Sequence, residues 1–335
     1  NLEIRNRYLI ISLLLFIGII IFLLGLGETG LIDETPPLFA SAGRAMSQSG
    51  DWIIPKVNGI LRFDKPPFYY WLMALIYSIP GNQNWDELGS LSARLPSAIS
   101  SLLLFLILAD TILSHHKKSN HKTYLALVSS LGYAISPLVI IWSKTAVSDS
   151  LLCGTIGISL LLFWRKFVEN DSKNCLLPWI FLGLAILTKG PVAAVIVALT
   201  LITFLFTQKD WKTLLFKIKP FKGLLISFLI STPWYFVVFL REGQVFLDSF
   251  FGYHNLQRFT SVVNNHSEPW WFFIFIMIIA SLPFSIFLFH GFFVTIKDFI
   301  IEPKDESKDE NSLYLFALCW FFSILVFFSI SATKL

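Results

Sequence analysis

The sequence predicts an all-α polytopic membrane protein, and three observations carry that prediction. Of its 335 residues, 55% are hydrophobic and only 14% are charged, a balance that belongs to membrane proteins rather than soluble domains. The apolar residues fall into about nine separate runs of helical length. Lysine and arginine cluster between alternate runs, the pattern that orients helices in a bilayer.

The runs lie at 8–26, 91–113, 124–142, 151–164, 176–187, 192–206, 223–240, 270–295 and 313–330. The first is read as a retained anchor, because no small-residue cleavage site follows it. The pair flanking Thr188–Pro191 is short, so tilted or broken helices are the alternative to two full spans. With the N-terminus on the inner side, segments 115–122, 165–175, 207–222 and 297–311 are also inner. With Arg5 and Arg7 they hold roughly 16 of the 26 Lys and Arg. The tract EPKDESKDENS at 302–312 reads as a hydrophilic inner loop. His115, His116 and His121 read as solvated loop residues rather than a metal site.

Composition also narrows function. A net charge of +4 does not indicate a nucleic-acid partner. Cys153, Cys175 and Cys319 are widely spaced and form no metal or disulfide pattern. There is no glycine-rich nucleotide loop.

The topology makes 27–90 a long first outer loop and 241–269 a second. In the first loop, Thr35 suits an N-cap, Pro36 the first helical position and Gly50 the residue past the C-terminus. Leu38, Phe39, Ala42 and Met46 would share one face of an amphipathic interfacial helix. Asp33 and Glu34 precede it, where a helix dipole favours negative charge. The apolar stretch KPPFYYWLMALIYSIPG is too short to span and reads as a second interfacial helix. Further charges reach the same side: Asp64 and Lys65 in RFDKPP, Lys144 and Asp149 in WSKTAVSDS, Lys189 in LTKGP, Asp248, His254 and Arg258 in DSFFGYHNLQRF, and Lys334 in SATKL.

The order DET, GDW, P-x-x-N-G, RFDKPP, ARL, SD, LTKGP, H-N-x-x-R-F and S-x-x-K-L resembles the bacterial polyprenyl-phosphate-dependent glycosyltransferases. That superfamily joins the aminoarabinose (lipid A) transferases with the protein O-mannosyltransferases. The resemblance runs over essentially the whole chain; DET with RFDKPP and HNxxRF before PWW are its specific parts. It implies the C-type glycosyltransferase (GT-C) fold, with a long first periplasmic loop carrying juxtamembrane helices and the catalytic acid. Members are longer, with further spans and an outer C-terminal domain. The chain stops at TKL where relatives continue, so a C-terminally truncated transferase domain over 1–335 is expected.

The resemblance implies that a monosaccharide passes from a polyprenyl-phosphate carrier to a lipid, glycan or protein acceptor at the outer face of the inner membrane. Asp33 is then the base, with Glu34 beside it. Lys65, Lys189 and Arg258 would hold the donor phosphate. Asp64, Asp149 and His254 would orient the acceptor. No cofactor is required by the sequence, but a divalent metal held by Asp64 and His254 stays open, because some members carry one. Each residue also has a plain structural reading. Asp33 and Glu34 would be favourable charges before a helix and Lys65 an interfacial anchor. Lys189 would face headgroups, His254 would be an idle loop residue, Arg258 would pair with Asp248, and Asp149 would cap the following helix. A transporter or flippase of a lipid-linked sugar is the alternative function; it would place ionisable groups near the membrane midplane. A ligase or phosphatase on the same lipid would share the phosphate clamp without the base.

Overall fold

The computed structural model describes residues 2–115, 121–168, 175–262, 268–297 and 312–334. Helix α1 (Leu2–Leu23) is followed by a turn and then by α2 (Thr35–Ser49). A small antiparallel hairpin, β1 (Lys56–Val57) and β2 (Ile60–Leu61), leads into α3 (Phe68–Tyr77) and the single turn α4 (Asn82–Trp85). Then come α5 (Ser90–His115), α6 (Lys122–Ala134), α7 (Pro137–Ser143), α8 (Ser148–Val168), α9 (Leu177–Lys189), α10 (Pro191–Phe206), α11 (Trp211–Lys217) and α12 (Pro220–Glu242). The short α13 (Gln244–Phe246) opens into a π-helical segment, Leu247–Gln257, closed by α14 (Arg258–Thr260). Helices α15 (Phe272–Ala280), α16 (Ser285–Ile296) and α17 (Ser312–Ile330) complete the described chain.

Helix α8 is the axis of the bundle. It packs on α5 and α9, which in turn carry α1 and α12. Its apolar residues Leu160, Phe163 and Trp164 join Trp179, Leu182, Phe204 and Phe316 in the largest buried cluster. Such all-round burial is what a helix surrounded by other helices requires.

All nine apolar runs are helical, but they are not nine uniform spans. Helices α1, α5, α8, α12 and α17 are long and apolar enough to cross a membrane. The run at 124–142 divides into α6 and α7, bent by 62°, and the run at 270–295 into α15 and α16, bent by 112°. Each break has a proline, Pro137 or Pro283, which cannot donate to the preceding turn. Helices α9 and α10 remain short, in keeping with the broken-helix alternative.

The helix ends collect charge in two places. At one end Asp110 accepts from Arg7 Nε (2.7 Å) and Arg165 Nη2 (3.0 Å), tying α1, α5 and α8 together. The other end carries the 24–90 segment and the candidate site. The acid-rich tract at 302–312 falls outside the described residues but for Ser312. So do 298–301, 169–174, His116 and the side chain of His115. His121 is exposed at the start of α6.

Segment 24–90 corrects two expectations. Thr35 is the first helical residue rather than the N-cap; Glu34 precedes it, with no side-chain cap. Leu38 is exposed, while Phe39, Ala40, Ala42, Gly43 and Met46 are buried. Their partners are Tyr69, Tyr70, Met73 and Ala74 of α3, with Phe39 stacked on Tyr70 at 5.0 Å between centroids. The two short helices therefore bury their apolar faces against each other and the bundle. Gly50 closes α2 in the left-handed conformation, as expected.

Gly43 is the point of closest approach, since a Cβ there would lie 2.9 Å from Met73 Cβ. Gly43→Val should therefore destabilise this subdomain by about 1–3 kcal/mol. Thermal unfolding in detergent would read the loss, and an unchanged midpoint would show that α2 is not seated on α3.

Candidate active site

The RFDKPP segment leaves the hairpin extended. Residues two apart share a side there, and Arg62 grips Asp64 with both ends of its fork: Nε to Oδ1 at 2.6 Å and Nη2 to Oδ2 at 2.9 Å. Tyr70 donates to the same Oδ1 at 3.5 Å. Burial alone would raise the Asp64 pKa, but the hydrogen bond from Arg62 and the charges of Lys65 and Arg62 outweigh it and hold the carboxyl below its ordinary value.

Lys65 donates to the Asp64 carbonyl at 3.0 Å. Burial pushes its pKa down to about 8, and Lys189 and Arg258 push the same way, while Asp64 and Asp149 oppose them. Lys65, Lys189, Arg258, Asp64 and Asp149 thus act on one another although they come from four separate segments of the chain.

Lys189, the last residue of α9, pairs with Asp149 in the first turn of α8, Nζ to Oδ1 at 2.5 Å. The pair fixes the α9–α10 turn over α8. Gly190 follows with φ +88°, and a Cβ there would meet the Phe250 ring at 2.9 Å. Only glycine permits both the backbone and the contact. Phe250 is fully buried against Trp234, Phe246 and Phe63, so this contact docks the π-helical segment beside the turn.

The docked segment presents His254 and Arg258. Both line a cleft of about 340 Å³ with Arg62, Phe63, Asp64, Leu61 and Ser249. Burial holds the His254 imidazole down at about 4, helped by Lys65, Arg258 and Arg62 against Asp64; it is neutral at pH 7. His254 Nδ1 and Arg258 Nε are buried without a hydrogen-bond partner among the described residues, a cost that a bound polar ligand would relieve. Arg258 does not pair with Asp248, which instead accepts from Gln244 at 2.7 Å. Its backbone is held by the end of the described chain: Ala332 N donates to Phe259 O and Thr333 N to Arg258 O, at 2.9 and 3.2 Å. Lys334 donates to the carbonyls of Ser329 and Ser331, capping α17 rather than entering the cleft.

Asp33 and Glu34 are exposed and stand apart from this cluster; no hydrogen bond or ion pair joins them to it among the described residues. Asp33 adopts φ +78° and its Oδ1 accepts from Glu34 N at 2.7 Å, a local bond that makes the left-handed conformation tolerable for aspartate. The residues the sequence reading left out of the site are Arg62 and Tyr70. Arg62 had a signal in its two-residue spacing from Asp64; Tyr70 had none, because its reach depends on how α3 docks.

A divalent metal on Asp64 and His254 would compete with cations already there: Arg62 donates to both Asp64 oxygens, and Lys65 and Arg258 act on the same position. Among the described residues no group of three metal-ligating side chains forms.

Helices of this number and length define a polytopic membrane protein, and one end of its bundle holds a cationic cleft suited to an anion. Comparison with known proteins agrees. A sequence model of the dolichyl-phosphate-mannose-protein mannosyltransferase family matches residues 64–236, slightly more than half of the chain. The chain is 28% identical over 328 residues to the undecaprenyl phosphate-alpha-4-amino-4-deoxy-L-arabinose arabinosyl transferase of Pseudomonas aeruginosa, covering 97% of this chain and 56% of that protein. It is 31% identical over 304 residues to an uncharacterized protein of Aquifex aeolicus, covering 91% and 63%. Its fold matches the crystal structure of ArnT from Cupriavidus metallidurans bound to undecaprenyl phosphate, with a TM-score of 0.82 at 25% identity, over 97% of this chain and 56% of that one. The chain belongs to the dolichyl-phosphate-mannose-protein mannosyltransferase family, with the GT-C fold. It spans 56% of the length of the arabinosyl transferase it matches.

The lowered pKa of Lys65 gives a signed pH dependence. A lysine depressed below its unfolded value carries its charge in the empty fold only below about pH 8. Affinity for an anion that needs that charge should then fall about tenfold between pH 7 and pH 9. Titrating binding of a phosphorylated lipid across this range, with Lys65→Arg flattening the profile, is the check; a flat profile for the unaltered protein would remove Lys65 from the anion site.

Proposed function

We propose that the protein transfers a monosaccharide from a polyprenyl-phosphate carrier to a lipid, glycan or protein acceptor at the outer face of the inner membrane, with the N-terminus cytoplasmic. The observation that carries this reading is the charge balance of the cleft. In the cluster that lines and adjoins the cleft, Arg62, Lys65, Lys189 and Arg258 face only Asp64 and Asp149 among the described residues. Two positive charges are left over, and a lipid-linked phosphate at the membrane surface would neutralise them. The names of the relatives agree, since the arabinosyl transferase is named for undecaprenyl phosphate and the ArnT structure holds it.

In this mechanism the acceptor hydroxyl oxygen attacks the anomeric carbon. The bond from that carbon to the phosphate oxygen breaks, and its electron pair leaves with the phosphate. Lys65, Lys189 and Arg258 stabilise the charge that grows there. The hydroxyl proton passes to Asp33, with Glu34 beside it. A single displacement inverts the anomeric centre. Asp64, held by Arg62, and Asp149, held by Lys189, keep the cations in place. The neutral His254 has Nδ1 available for the acceptor or the phosphate. The outer loops 27–90 and 241–269 carry most of these groups.

A flippase fits less well, because the cluster sits at helix ends: Asp149 opens α8, Lys189 closes α9 and Arg258 lies beyond α12. A phosphatase or ligase would not need Asp33. Asp33→Asn decides between these readings. It should leave binding of the polyprenyl-phosphate sugar unchanged and lower transfer by roughly 10²–10⁴-fold. Transfer at the normal rate would eliminate Asp33 as the base.

A further inference from the structure

Arg94 sits in the second turn of α5 and is almost fully buried, at 8% exposure. It pairs with no carboxylate among the described residues. Its guanidinium is spent on backbone instead. Nη1 donates to Leu26 O at 2.6 Å, to Thr29 O at 2.8 Å and to Thr29 Oγ1 at 3.2 Å; Nη2 donates to Gly30 O at 2.8 Å. Nε is buried without a partner.

A cation at the end of α1 would be explained by Leu26 O alone, because helix C-termini attract positive charge. Lys144 already serves that end, donating to Leu24 O at 3.0 Å. Thr29 and Gly30 lie well past it. Their carbonyls point to the same guanidinium only because the turn 26–30 folds back onto α5. Gly27 approaches α5 closely enough that a Cβ would lie 3.3 Å from Leu91 Cβ. Three residues beyond the last contact is Asp33, exposed, left-handed and bonded only to its own neighbour. Leu31, between them, packs against the α2–α3 cluster. Among the described residues no other charged side chain donates to the Thr29–Gly30 backbone.

We propose that Arg94 is the positioning residue of this active site: it folds turn 26–30 onto α5 and thereby fixes where the Asp33 carboxylate stands relative to the cationic cleft. The inference rests on the reading of Asp33 as the base. Arg94 touches no reacting atom. It holds a general base that its own loop does not hold.

The test uses the full-length protein with Arg94→Gln and Arg94→Lys. Arg94→Gln should lower kcat by about tenfold to hundredfold while KM and Kd for the polyprenyl-phosphate sugar stay within about twofold. Arg94→Lys, which keeps the charge but loses the fork, should fall between Gln and the unaltered protein and guards against a variant that merely fails to fold. A nitroxide on Ile32→Cys, with the three native cysteines replaced by alanine, reads the loop without reference to activity; it should become mobile in either variant. An unchanged nitroxide spectrum, or donor affinity falling in parallel with kcat, overturns the proposal. If Asp33→Asn transfers normally, the base assignment fails; the spin label still reports whether Arg94 orders the loop.

Discussion

Charge that cannot be neutralised within the protein organises the active end of this molecule. Charged groups beside a hydrocarbon layer are costly unless paired. The structure meets that demand in two pairs, Asp64 with Arg62 and Asp149 with Lys189. Among the described residues, Lys65 and Arg258 are then left without carboxylates of their own, and burial lowers the Lys65 pKa to about 8. Beside them, His254 Nδ1 and Arg258 Nε are buried without a hydrogen-bond partner among the described residues. The rest of the fold serves to hold these groups together. The α9–α10 turn is fixed by Lys189, Gly190 presses on Phe250, and the 331–333 segment ties down Arg258.

A rigid helical core and a polar end divide the work. Helices α5, α8, α9 and α12 bury their faces against one another and set the helix ends. The chemistry-bearing residues then sit on short segments clamped by backbone hydrogen bonds or by a single buried aromatic ring. That arrangement gives two of the cations, Arg62 and Lys189, a carboxylate partner that holds them in place. It also makes the 24–33 segment the least supported part of the site. Its main restraints are two basic side chains, Lys144 and Arg94, that grip backbone carbonyls.

Much of this was legible in the amino-acid sequence, for stated physical reasons. Hydrophobic runs report directly on helices that a membrane can hold, so each apolar run became helix. Motif order brought Asp64, Lys65, Asp149, Lys189, His254 and Arg258 together, and the structure assembles those six. The remainder depended on packing. Leu38 lies outward because the groove on α3 is fitted by Phe39 and Met46. The breaks at Pro137 and Pro283 could not be told from tolerated kinks without knowing what fills the bend. Arg94 was visible only as part of an ARL triplet; its partners are main-chain carbonyls more than sixty positions away, and carbonyls leave no mark in a sequence. The resemblance left a metal on Asp64 and His254 open; the fork of Arg62 on that carboxylate shows only in the fold.

In the proposed function the surplus positive charge of the cleft recognises the phosphate of a polyprenyl lipid. Native mass spectrometry of the full-length protein with undecaprenyl phosphate, set against the neutral alcohol undecaprenol, tests it most directly. The account predicts retention of the phosphorylated lipid alone, with loss of that retention in a Lys65→Ala, Arg258→Ala double variant that remains folded. Equal retention of both lipids, or a double variant that holds the phosphorylated lipid as well as the unaltered protein does, would contradict it.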